Sequence, residues 1–480
     1  MDVTVRDAAL ITGGHLVAPD GGPGDDADAS RVARGFSFDS RTLVPGEAFV
    51  ALHDLRDGHD FVADAFGRGA AFALVERVPA RADGPCVVVG ETTTALIELA
   101  RAARARLQAT VVAVTGSAGK TSTKDLAAAA LAAGMSTHAS RASFNNEIGL
   151  PVTLLDAPED AEAVVLEMGA RFAGNISELC EIASPSIGVI THIGLAHAEH
   201  LGGRGGIARV KGELLDALPA EGLAILNADC EHSLAQRHRT VAPVITVGTT
   251  ASADVSVGGL EVDHELHPSF RLDSPWGSAR IRLALRGAHQ ALNGAQAATV
   301  ALHLGVPLDA VVAALANASS ADRRMQLARS PYGVTVLDDS YNASPGAMTA
   351  ALEALAHLPV TGRRIAVLGE MRELGAAGPA EHARIGAAAL AEGIDVLVVV
   401  GAAGESIAAG AIDGDVDSPI GDGGAGGRVE IHQVADAAGA ATLLEALVAP
   451  GDAVLVKASR AVGLERVVMA LLGTQTGAVS

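Results

Sequence analysis

Short apolar runs alternate with alanine-rich amphipathic stretches through the middle of the chain. Runs of this kind are ATVVAVTG (109–116), AVVLEM (163–168), IGVITHI (187–193) and LAILNAD (223–229). Unbroken apolar runs separated by helical stretches are typical of strands that a parallel sheet buries on both faces. The pattern therefore predicts an α/β domain built on a mostly parallel sheet with covering helices.

The regions on either side follow other patterns. Residues 36–76 have shorter apolar runs between polar turns, and residues 251–285 alternate with period two, which predicts antiparallel strands before a helix at 291–304. A second series of buried strands follows in VTVLDDS (334–340), RIAVLGE (364–370), VLVVVG (396–401) and AVLVKAS (453–459). We predict three domains, at residues 1–107, 108–326 and 327–480, with an exposed Gly- and Asp-rich loop at 412–427.

Composition narrows the classes of function. The 480 residues carry a net charge of -21 and show no cluster of Lys and Arg that would hold a nucleic acid backbone. The three cysteines are too widely spaced for a zinc site or a disulfide framework. The N-terminal residues lack the pattern of a secretory signal, and no apolar stretch reaches the length of a membrane span. We therefore expect a cytoplasmic protein without membrane insertion, which binds small molecules and no nucleic acid.

A short glycine-rich loop marks a nucleotide site. TGSAGKTSTK (115–124) lies where a strand gives way to a helix, so backbone amides and the helix N-terminus face phosphate oxygens. We expect Lys120 to contact the terminal phosphates and the Thr121 hydroxyl to bind magnesium. A glycine-rich turn that merely starts a helix would not account for the Lys-Thr pair. The expected phosphate-binding residues are Gly116, Ser117, Ala118, Gly119, Lys120, Thr121 and Ser122.

Four further segments follow this loop in a fixed order. They are FNNEIGLP (144–151), LEMGA (166–170), THIGLAHAE (191–199) and ARVKGELL (208–215), and with the loop they resemble the Mur ligase family over nearly the whole chain. The resemblance implies that Glu167 and His197 bind Mg²⁺ together with Thr121, and that Asn145 lies at the ATP site. It also implies that Lys211 is carbamylated and that Lys120, Lys211 and His197 are catalytic.

The resemblance extends to residues that surround the nucleotide. RGAHQALNGAQAA (286–298) matches a family helix, which implies that Asn293 contacts adenine. Arg324 matches an arginine that reaches toward the ATP phosphates, a role suited to the rigid donor fork of guanidinium. DDSYNASPGAM (338–348) implies that Asp339 lies on the ribose side, with Tyr341 and Asn342 beside the base.

Other motifs are similar to the branch of the family that adds D-alanyl-D-alanine. SFDSRTLVPGEAFVAL (37–52) implies a uridine nucleotide site at Asp39, Ser40 and Arg41, and KASRAVGLERVV (457–468) implies that Lys457, Ser459 and Arg460 face the cleft. Three positions depart from the family pattern, with His192, Gln290 and Ala458 in place of Asn, Asn and Gly. We interpret His192 as a structural residue and not as a metal ligand.

The resemblance implies an architecture and a reaction. The architecture has a central P-loop ATPase domain with a parallel sheet, a small N-terminal α/β domain and a C-terminal Rossmann-like domain. The implied substrates are ATP, UDP-N-acetylmuramoyl-tripeptide and D-alanyl-D-alanine, in a monomeric enzyme. Another amide ligase of the same fold, or a nucleotide-binding scaffold without catalysis, are the alternatives. The sequence leaves open whether the tripeptide ends in lysine or diaminopimelate.

Overall fold

The computed structural model describes residues 2–19, 22, 24–53, 56–78, 82–141, 143–196, 198–319, 322–416 and 429–473. Its strands form one small and three large sheets, and each large sheet draws on a different part of the chain. The α/β class predicted from the sequence is confirmed. The predicted limits at residues 107 and 326 remain predictions, although the strand that begins at Gln326 belongs to the third large sheet.

The first large sheet lies near the N-terminus, and β1 and β3 pair separately as a two-stranded sheet. Its strand order is β2-β7-β6-β5-β4, with β2 antiparallel to β7 and the other strands parallel. The elements of this region are β1 (Val3–Thr4), α1 (Val5–Thr12), β2 (His15–Val17), α2 (Asp26–Ala29), β3 (Val32–Ala33), β4 (Phe36–Ser37), β5 (Ala48–Val50), α3 (Val62–Gly67), β6 (Ala73–Val75), β7 (Cys86–Val88) and α4 (Thr92–Arg106).

The central sheet has nine strands in the order β16-β15-β14-β13-β12-β11-β8-β10-β9. Strands β8 to β14 pair in parallel, whereas β14, β15 and β16 form the predicted antiparallel extension. The elements are β8 (Thr110–Thr115), α5 (Lys120–Ala132), β9 (Thr137–Ala139), α6 (Gly149–Asp156), β10 (Ala163–Glu167), α7 (Asn175–Ala183), β11 (Ile187–Ile190), α8 (Ala198–Leu201), α9 (Gly203–Asp216), β12 (Leu223–Asn227), α10 (Glu231–Leu234), β13 (Val244–Gly248), β14 (Val255–Val262), β15 (Pro268–Ser274), β16 (Gly277–Arg282), α11 (Gln290–His303) and α12 (Leu308–Leu315).

The third large sheet has six strands in the order β17-β18-β22-β19-β20-β21, parallel except for the pairing of β17 with β18. The elements are β17 (Gln326–Arg329), β18 (Thr335–Asp338), α13 (Pro345–His357), β19 (Arg364–Gly369), α14 (Gly378–Ala391), β20 (Val396–Val400), α15 (Gly404–Val416), β21 (Glu430–Val434), α16 (Ala437–Leu447), β22 (Ala453–Lys457) and α17 (Glu465–Leu472).

One sequence prediction about this region is wrong in part. Residues 412–416 were expected to belong to an exposed loop, but they form the last turn of α15. The helix that starts at Gly404 continues into the Gly- and Asp-rich segment, because a few unfavourable residues at a helix end cost less than ending its hydrogen-bond ladder early. The predicted loop residues 417–427 lie outside the described residues.

A continuous apolar core joins the first and central sheets. Phe36, Leu74 and Leu96 of the N-terminal region belong to the same buried cluster as Leu150 and Leu166 of the central region. Each of these side chains is at most 2% exposed. Burial of apolar surface is the main favourable term in packing, so this core holds the N-terminal region firmly beside the central sheet. Among the described helices, none combines the length and apolar character needed to cross a membrane.

Candidate active site

The glycine-rich loop leaves β8 at Thr115 and enters α5 at Lys120. The neighbouring strand end holds it in place: the Ser117 amide donates to the His192 carbonyl (2.7 Å), and the Thr191 hydroxyl donates to the Ala118 carbonyl (2.6 Å). No side chain in the described parts of the chain caps the N-terminus of α5. Its free amides and positive dipole end are therefore available to an anion such as phosphate.

Two glycines in the loop have no room for a side chain. A Cβ on Gly116 would lie 2.0 Å from the Thr191 hydroxyl oxygen, and one on Gly119 would lie 2.6 Å from Asn293 Oδ1. Gly119 also has a φ of +82°, in the left-handed region that side chains disfavour. The sequence predicted these glycines from their motif, and the structure adds the neighbours that require them.

Lys120 lies over the loop that precedes it. Its Nζ donates to the Gly116 carbonyl at 2.9 Å. Burial lowers the pKa of Lys120, while the charge of Glu167 acts in the opposite direction. This position places the Lys120 ammonium beside the open helix N-terminus, where the terminal phosphates of a nucleotide would lie.

Glu167, at the end of β10, is the centre of a compact set of oxygen and amide groups. It is 1% exposed, and its carboxylate accepts a hydrogen bond from the Thr121 hydroxyl (2.6 Å) and another from Asn145 Nδ2 (2.7 Å). Mg²⁺ prefers oxygen ligands of this kind and binds through few protein groups. The Thr121 and Glu167 oxygens therefore fit a magnesium ion. The third predicted ligand, His197, lies outside the described residues.

Lys211 lies on α9 and is 2% exposed. Burial, followed by the charge of Lys120, lowers its pKa to about 7, although Glu167 and Glu213 act in the opposite direction. A substantial fraction of this amine is therefore neutral near pH 7, and the neutral amine is the form that reacts with carbon dioxide. The chemistry of the site suits the predicted carbamylation, which remains a prediction.

Glu213, two residues later on α9, has a structural role. Its carboxylate accepts hydrogen bonds from the amides of Gly174 (2.9 Å) and Ser177 (3.1 Å) at the start of α7. A carboxylate at a helix N-terminus satisfies free amides and complements the helix dipole. The acidic residue of the K-G-E segment thus fixes α9 against α7.

Arg324 connects the central and third sheets. Its guanidinium donates to the Ser143 hydroxyl (3.3 Å) and lies 4.5 Å from the centre of the Tyr341 ring. Arg460 lies over the same ring, at 5.2 Å. Arginine commonly stacks on aromatic rings in this way. Two predicted ligand-binding arginines therefore meet at Tyr341, and Arg324 also reaches the central region through Ser143.

Asp339 and Lys457 form a buried ion pair at the carboxyl ends of β18 and β22. Lys457 Nζ lies 2.5 Å from Asp339 Oδ2 and also donates to the Asn342 carbonyl at 2.9 Å. The Met325 amide donates to the other Asp339 oxygen, at 3.2 Å. In this structure Asp339 and Lys457 hold the start of the third domain together, and the predicted ribose contact of Asp339 remains a prediction.

Asn293 and Ser459, two residues predicted to bind ligands, form hydrogen bonds within the protein. Asn293 is 7% exposed, and its side-chain amide donates to the Gln290 side chain. Gln290, which stands in place of the Asn of the family pattern, donates in turn to the Ser122 hydroxyl of the phosphate-loop helix at 3.3 Å. The Ser459 hydroxyl accepts the Arg372 amide at 2.9 Å. The adenine contact of Asn293 and the substrate contact of Ser459 remain predictions.

The predicted uridine segment lies beside the central domain. Arg41 pairs with Asp39 through two hydrogen bonds of 3.0 and 2.8 Å, and this pairing lowers the pKa of Asp39. Ser40 is buried, whereas Arg41 is exposed. The neighbouring Phe38 ring packs on Phe144 with ring centres 5.5 Å apart. This contact brings the segment next to Asn145, and its binding role remains a prediction.

Thr191 and Ser143 hold the site together, although neither was predicted from the sequence. Thr191 fixes the phosphate loop, and Ser143 receives Arg324. Both stand inside or next to motifs that the sequence analysis used, but a hydroxyl with a long-range partner has no signature in a single sequence. His192 has two contacts that suit the predicted structural role: its carbonyl accepts the Ser117 amide, and its side chain forms a hydrogen bond with Cys230.

The fold and this arrangement define an ATP-dependent ligase built on a P-loop domain. Residues 114–301 match the Mur ligase middle domain, and residues 323–460 match the family model described as Mur ligase, glutamate ligase domain. The chain is 42% identical to the UDP-N-acetylmuramoyl-tripeptide--D-alanyl-D-alanine ligase of Mycobacterium bovis, over 99% of each chain. The chain belongs to the Mur ligase family.

Solved structures agree with this assignment. A crystal structure of MurF from Acinetobacter baumannii matches 98% of this chain and 99% of its own, with a TM-score of 0.82 and 27% identity. The MurF ligase from Thermotoga maritima in complex with ADP matches 92% of this chain and 98% of its own, with a TM-score of 0.75 and 29% identity. The three-domain Mur ligase architecture predicted from the sequence is confirmed.

Proposed function

We propose that the protein joins D-alanyl-D-alanine to UDP-N-acetylmuramoyl-tripeptide at the expense of ATP. The products are UDP-N-acetylmuramoyl-pentapeptide, ADP and phosphate. The observation that carries this proposal is the arrangement of Lys120, Thr121 and Glu167 at the open N-terminus of α5, with the charges of Lys120 and Glu167 acting on the pKa of the buried Lys211, in a chain that aligns end to end with ligases of this name. These groups suit phosphoryl transfer to a carboxylate.

The reaction has two steps. A carboxylate oxygen of the tripeptide attacks the terminal phosphorus of ATP, and ADP leaves with the electrons of the broken bond. The dipeptide amine then attacks the carbonyl carbon of the acyl phosphate, loses a proton and expels phosphate, which leaves an amide. Negative charge develops on phosphate oxygens in both steps, so catalysis depends on positioning and on cationic groups.

Different residues of this chain would bind the phosphates, the metal ion and the substrates. Lys120 and the amides of the loop would hold the phosphates, and Arg324 would approach them from the domain junction. Thr121 and Glu167, with His197, would hold Mg²⁺, which neutralises phosphate charge when bound. A carbamate on Lys211 would add an anionic oxygen ligand beside them. The N-terminal segment with Asp39 and Arg41 would bind the uridine nucleotide, and the third domain would present Lys457, Ser459 and Arg460.

We also propose that the enzyme acts in the cytoplasm as a monomer. The nucleotide-linked substrates and ATP are cytoplasmic compounds, and one chain supplies every residue proposed for the site. Size-exclusion chromatography with light scattering, run with and without ADP and Mg²⁺, tests the oligomeric state. A dimer under both conditions would contradict it.

Phosphate release tests the proposed reaction. ATP and the tripeptide are supplied with either D-alanyl-D-alanine or single amino acids, and the product mass is determined for lysine- and diaminopimelate-containing tripeptides. We expect release and a pentapeptide mass only with the dipeptide, and none in the Lys120→Met variant. Release with a single amino acid would indicate a ligase for an earlier residue, and no turnover with any acceptor would indicate a nucleotide-binding scaffold.

A further inference from the structure

The chain uses lysine very sparingly. It has four lysines, at positions 120, 124, 211 and 457, against 31 arginines. Lys120, Lys211 and Lys457 already have places in the proposed reaction. The fourth, Lys124, is 2% exposed, as are Lys211 and Lys457. Since arginine serves almost everywhere else, a buried lysine at this position needs an explanation of its own.

Lys124 lies on α5, one helical turn beyond Lys120. Its Nζ donates to the Ser140 carbonyl at 2.6 Å and lies 2.6 Å from Asp125 Oδ1. Adjacent residues on a helix do not face each other, so this ion pair is not a usual stabiliser of the helix surface. Burying an ammonium group is unfavourable unless it is paired and hydrogen-bonded. The hydrogen bond from Lys124 to the Ser140 carbonyl is therefore the contact from which we infer the role of this lysine.

Ser140 begins a segment that touches the metal-binding side chains at several points. The Ser140 hydroxyl accepts the Glu167 amide (3.4 Å), and the Asn145 side chain donates to the Glu167 carboxylate (2.7 Å). Between them, the Ser143 hydroxyl accepts a hydrogen bond from the Arg324 guanidinium and lies 3.5 Å from the Thr121 hydroxyl. One short segment thus aligns Glu167, Thr121 and Arg324 from a single side.

We propose that Lys124 is a positioning residue for the magnesium-nucleotide site. Its buried ammonium anchors Ser140 to the phosphate-loop helix. Ser140 and Asn145 contact Glu167, and Ser143 contacts Arg324, so these three residues set the directions of both side chains. An ammonium suits the task because it offers three donors from a compact head at the end of an apolar stem. The inference rests on the proposed function only in taking Mg²⁺ and an adenine nucleotide as ligands.

Calorimetric titration with ADP, with and without Mg²⁺, tests this role. Lys124→Met removes the ammonium and keeps the stem, and Lys124→Met/Asp125→Asn also removes the carboxylate that would be left without its cation. In both variants we expect the gain in ADP affinity caused by Mg²⁺ to fall by about tenfold or more, the usual effect of removing a group that orients metal ligands. Affinity without Mg²⁺ should fall less, because the direction of Arg324 contributes to it and that of Glu167 does not.

Thr123→Val is the matched control. Thr123 lies on the same helix and is 0% exposed, but its hydroxyl has no hydrogen-bond partner among the described residues. Its substitution should leave both ADP titrations unchanged. If the Lys124 variants lower only the melting temperature and keep the full effect of Mg²⁺ on ADP affinity, Lys124 is structural and the proposal fails. The titration measures ADP binding in the absence of an acceptor, so its result does not depend on which acceptor the enzyme uses.

Discussion

The amine of Lys211 shows how strongly one buried side chain responds to its surroundings. Lys211 is enclosed on α9, and burial together with the charge of Lys120 lowers its pKa to about 7 from an ordinary value of 10.5. The folded protein therefore favours the neutral amine over a pH range in which the unfolded chain still binds the proton. This difference links the protonation of one residue to the stability of the molecule.

We expect wild-type stability to rise with pH relative to Lys211→Met between about pH 7 and pH 10. In this range the unfolded state binds more protons than the folded state at Lys211, so the free energy of unfolding gains at most about 1.4 kcal/mol per pH unit. Urea unfolding of both proteins in bicarbonate-free buffer measures it. Parallel curves would show that the Lys211 pKa is not lowered. A difference that appears only when bicarbonate is added would instead support carbamylation.

Single residues also mark the limit of what the sequence predicts. Lys120 and Thr121 were predicted from the phosphate-loop motif, because the start of a helix after a strand suits phosphate binding, and Glu167 was predicted from the resemblance to the Mur ligase family. Ser143 and Thr191 were not, because their roles depend on partners distant in sequence. The binding roles of the other predicted residues remain to be tested with ligands.

At the scale of helices and strands, the acidic residue of the K-G-E segment shows a motif serving two purposes. Lys211 is buried, with the charges of Lys120 and Glu167 acting on its pKa, whereas Glu213 caps the neighbouring helix α7 through the Gly174 and Ser177 amides. Gly174, the residue before that helix, supplies no side-chain cap of its own. A glycine before a helix gains from a carboxylate supplied by another element.

Glu213→Ala should destabilise the protein without abolishing the reaction. Two amides at the start of α7 would lose their acceptor, at a cost of about 1 kcal/mol, typical of a lost helix cap. Thermal unfolding and phosphate release measure the two effects. The exposed Glu178→Ala variant, on the helix itself, is the control. A loss of turnover as large as that of Lys211→Met, with unchanged stability, would instead make Glu213 a direct participant.

Strand positions followed from apolar runs more readily than helix ends did. The buried strands β10, β11, β12, β19, β20 and β22 lie within predicted runs, because long apolar segments have few other places in a fold. The exposed loop predicted at 412–427 starts too early, because residues 412–416 belong to α15 and because Gly and Asp weaken a helix without always ending it. Local composition describes a tendency, and the surrounding packing decides the boundary.

The molecule as a whole places a loop of the third domain against the part of the central domain that holds the proposed metal site. The Glu199 amide, two residues after His197, donates to the Glu373 carbonyl (3.1 Å), and Arg171 lies 3.7 Å from the Glu373 carboxylate. Gly375 lies close by with a φ of +55°, and a Cβ there would be 3.1 Å from the Glu199 Cα. The two domains therefore meet closely beside the proposed site.

Gly375→Val should hold the third domain away from the central domain. The added side chain would meet the backbone of α8 and would also strain the left-handed conformation. We expect kcat to fall by about 100-fold, as misplacement of reacting groups commonly causes, with a smaller effect on the KM for ATP. Small-angle scattering with ADP and Mg²⁺ should show a larger radius of gyration than wild type. Full turnover in a more open molecule would show that the reaction does not need the two domains to meet.

Gly378→Ala provides the comparison for this variant. Its Cβ would lie 3.8 Å from Leu374 Cβ, an ordinary van der Waals contact, and it starts α14 in the same part of the third domain. Both turnover and scattering should match the wild type. A loss equal to that of Gly375→Val would show that the segment tolerates no substitution, and the effect of Gly375→Val could then not be assigned to separation of the domains.

The scarcity of lysine has a practical consequence for chemical labelling. Apart from the α-amino group, every primary amine of this chain lies in or directly behind the proposed reaction centre. Thiol-directed labels meet a similar obstacle, because Cys86, Cys180 and Cys230 are buried. Dyes or supports that couple to amines would either leave the folded surface untouched or inactivate the enzyme. By the same reasoning, an acylating nucleotide analogue would find almost no competing amines, so covalent inhibitors directed at lysine should have unusually low background on this molecule.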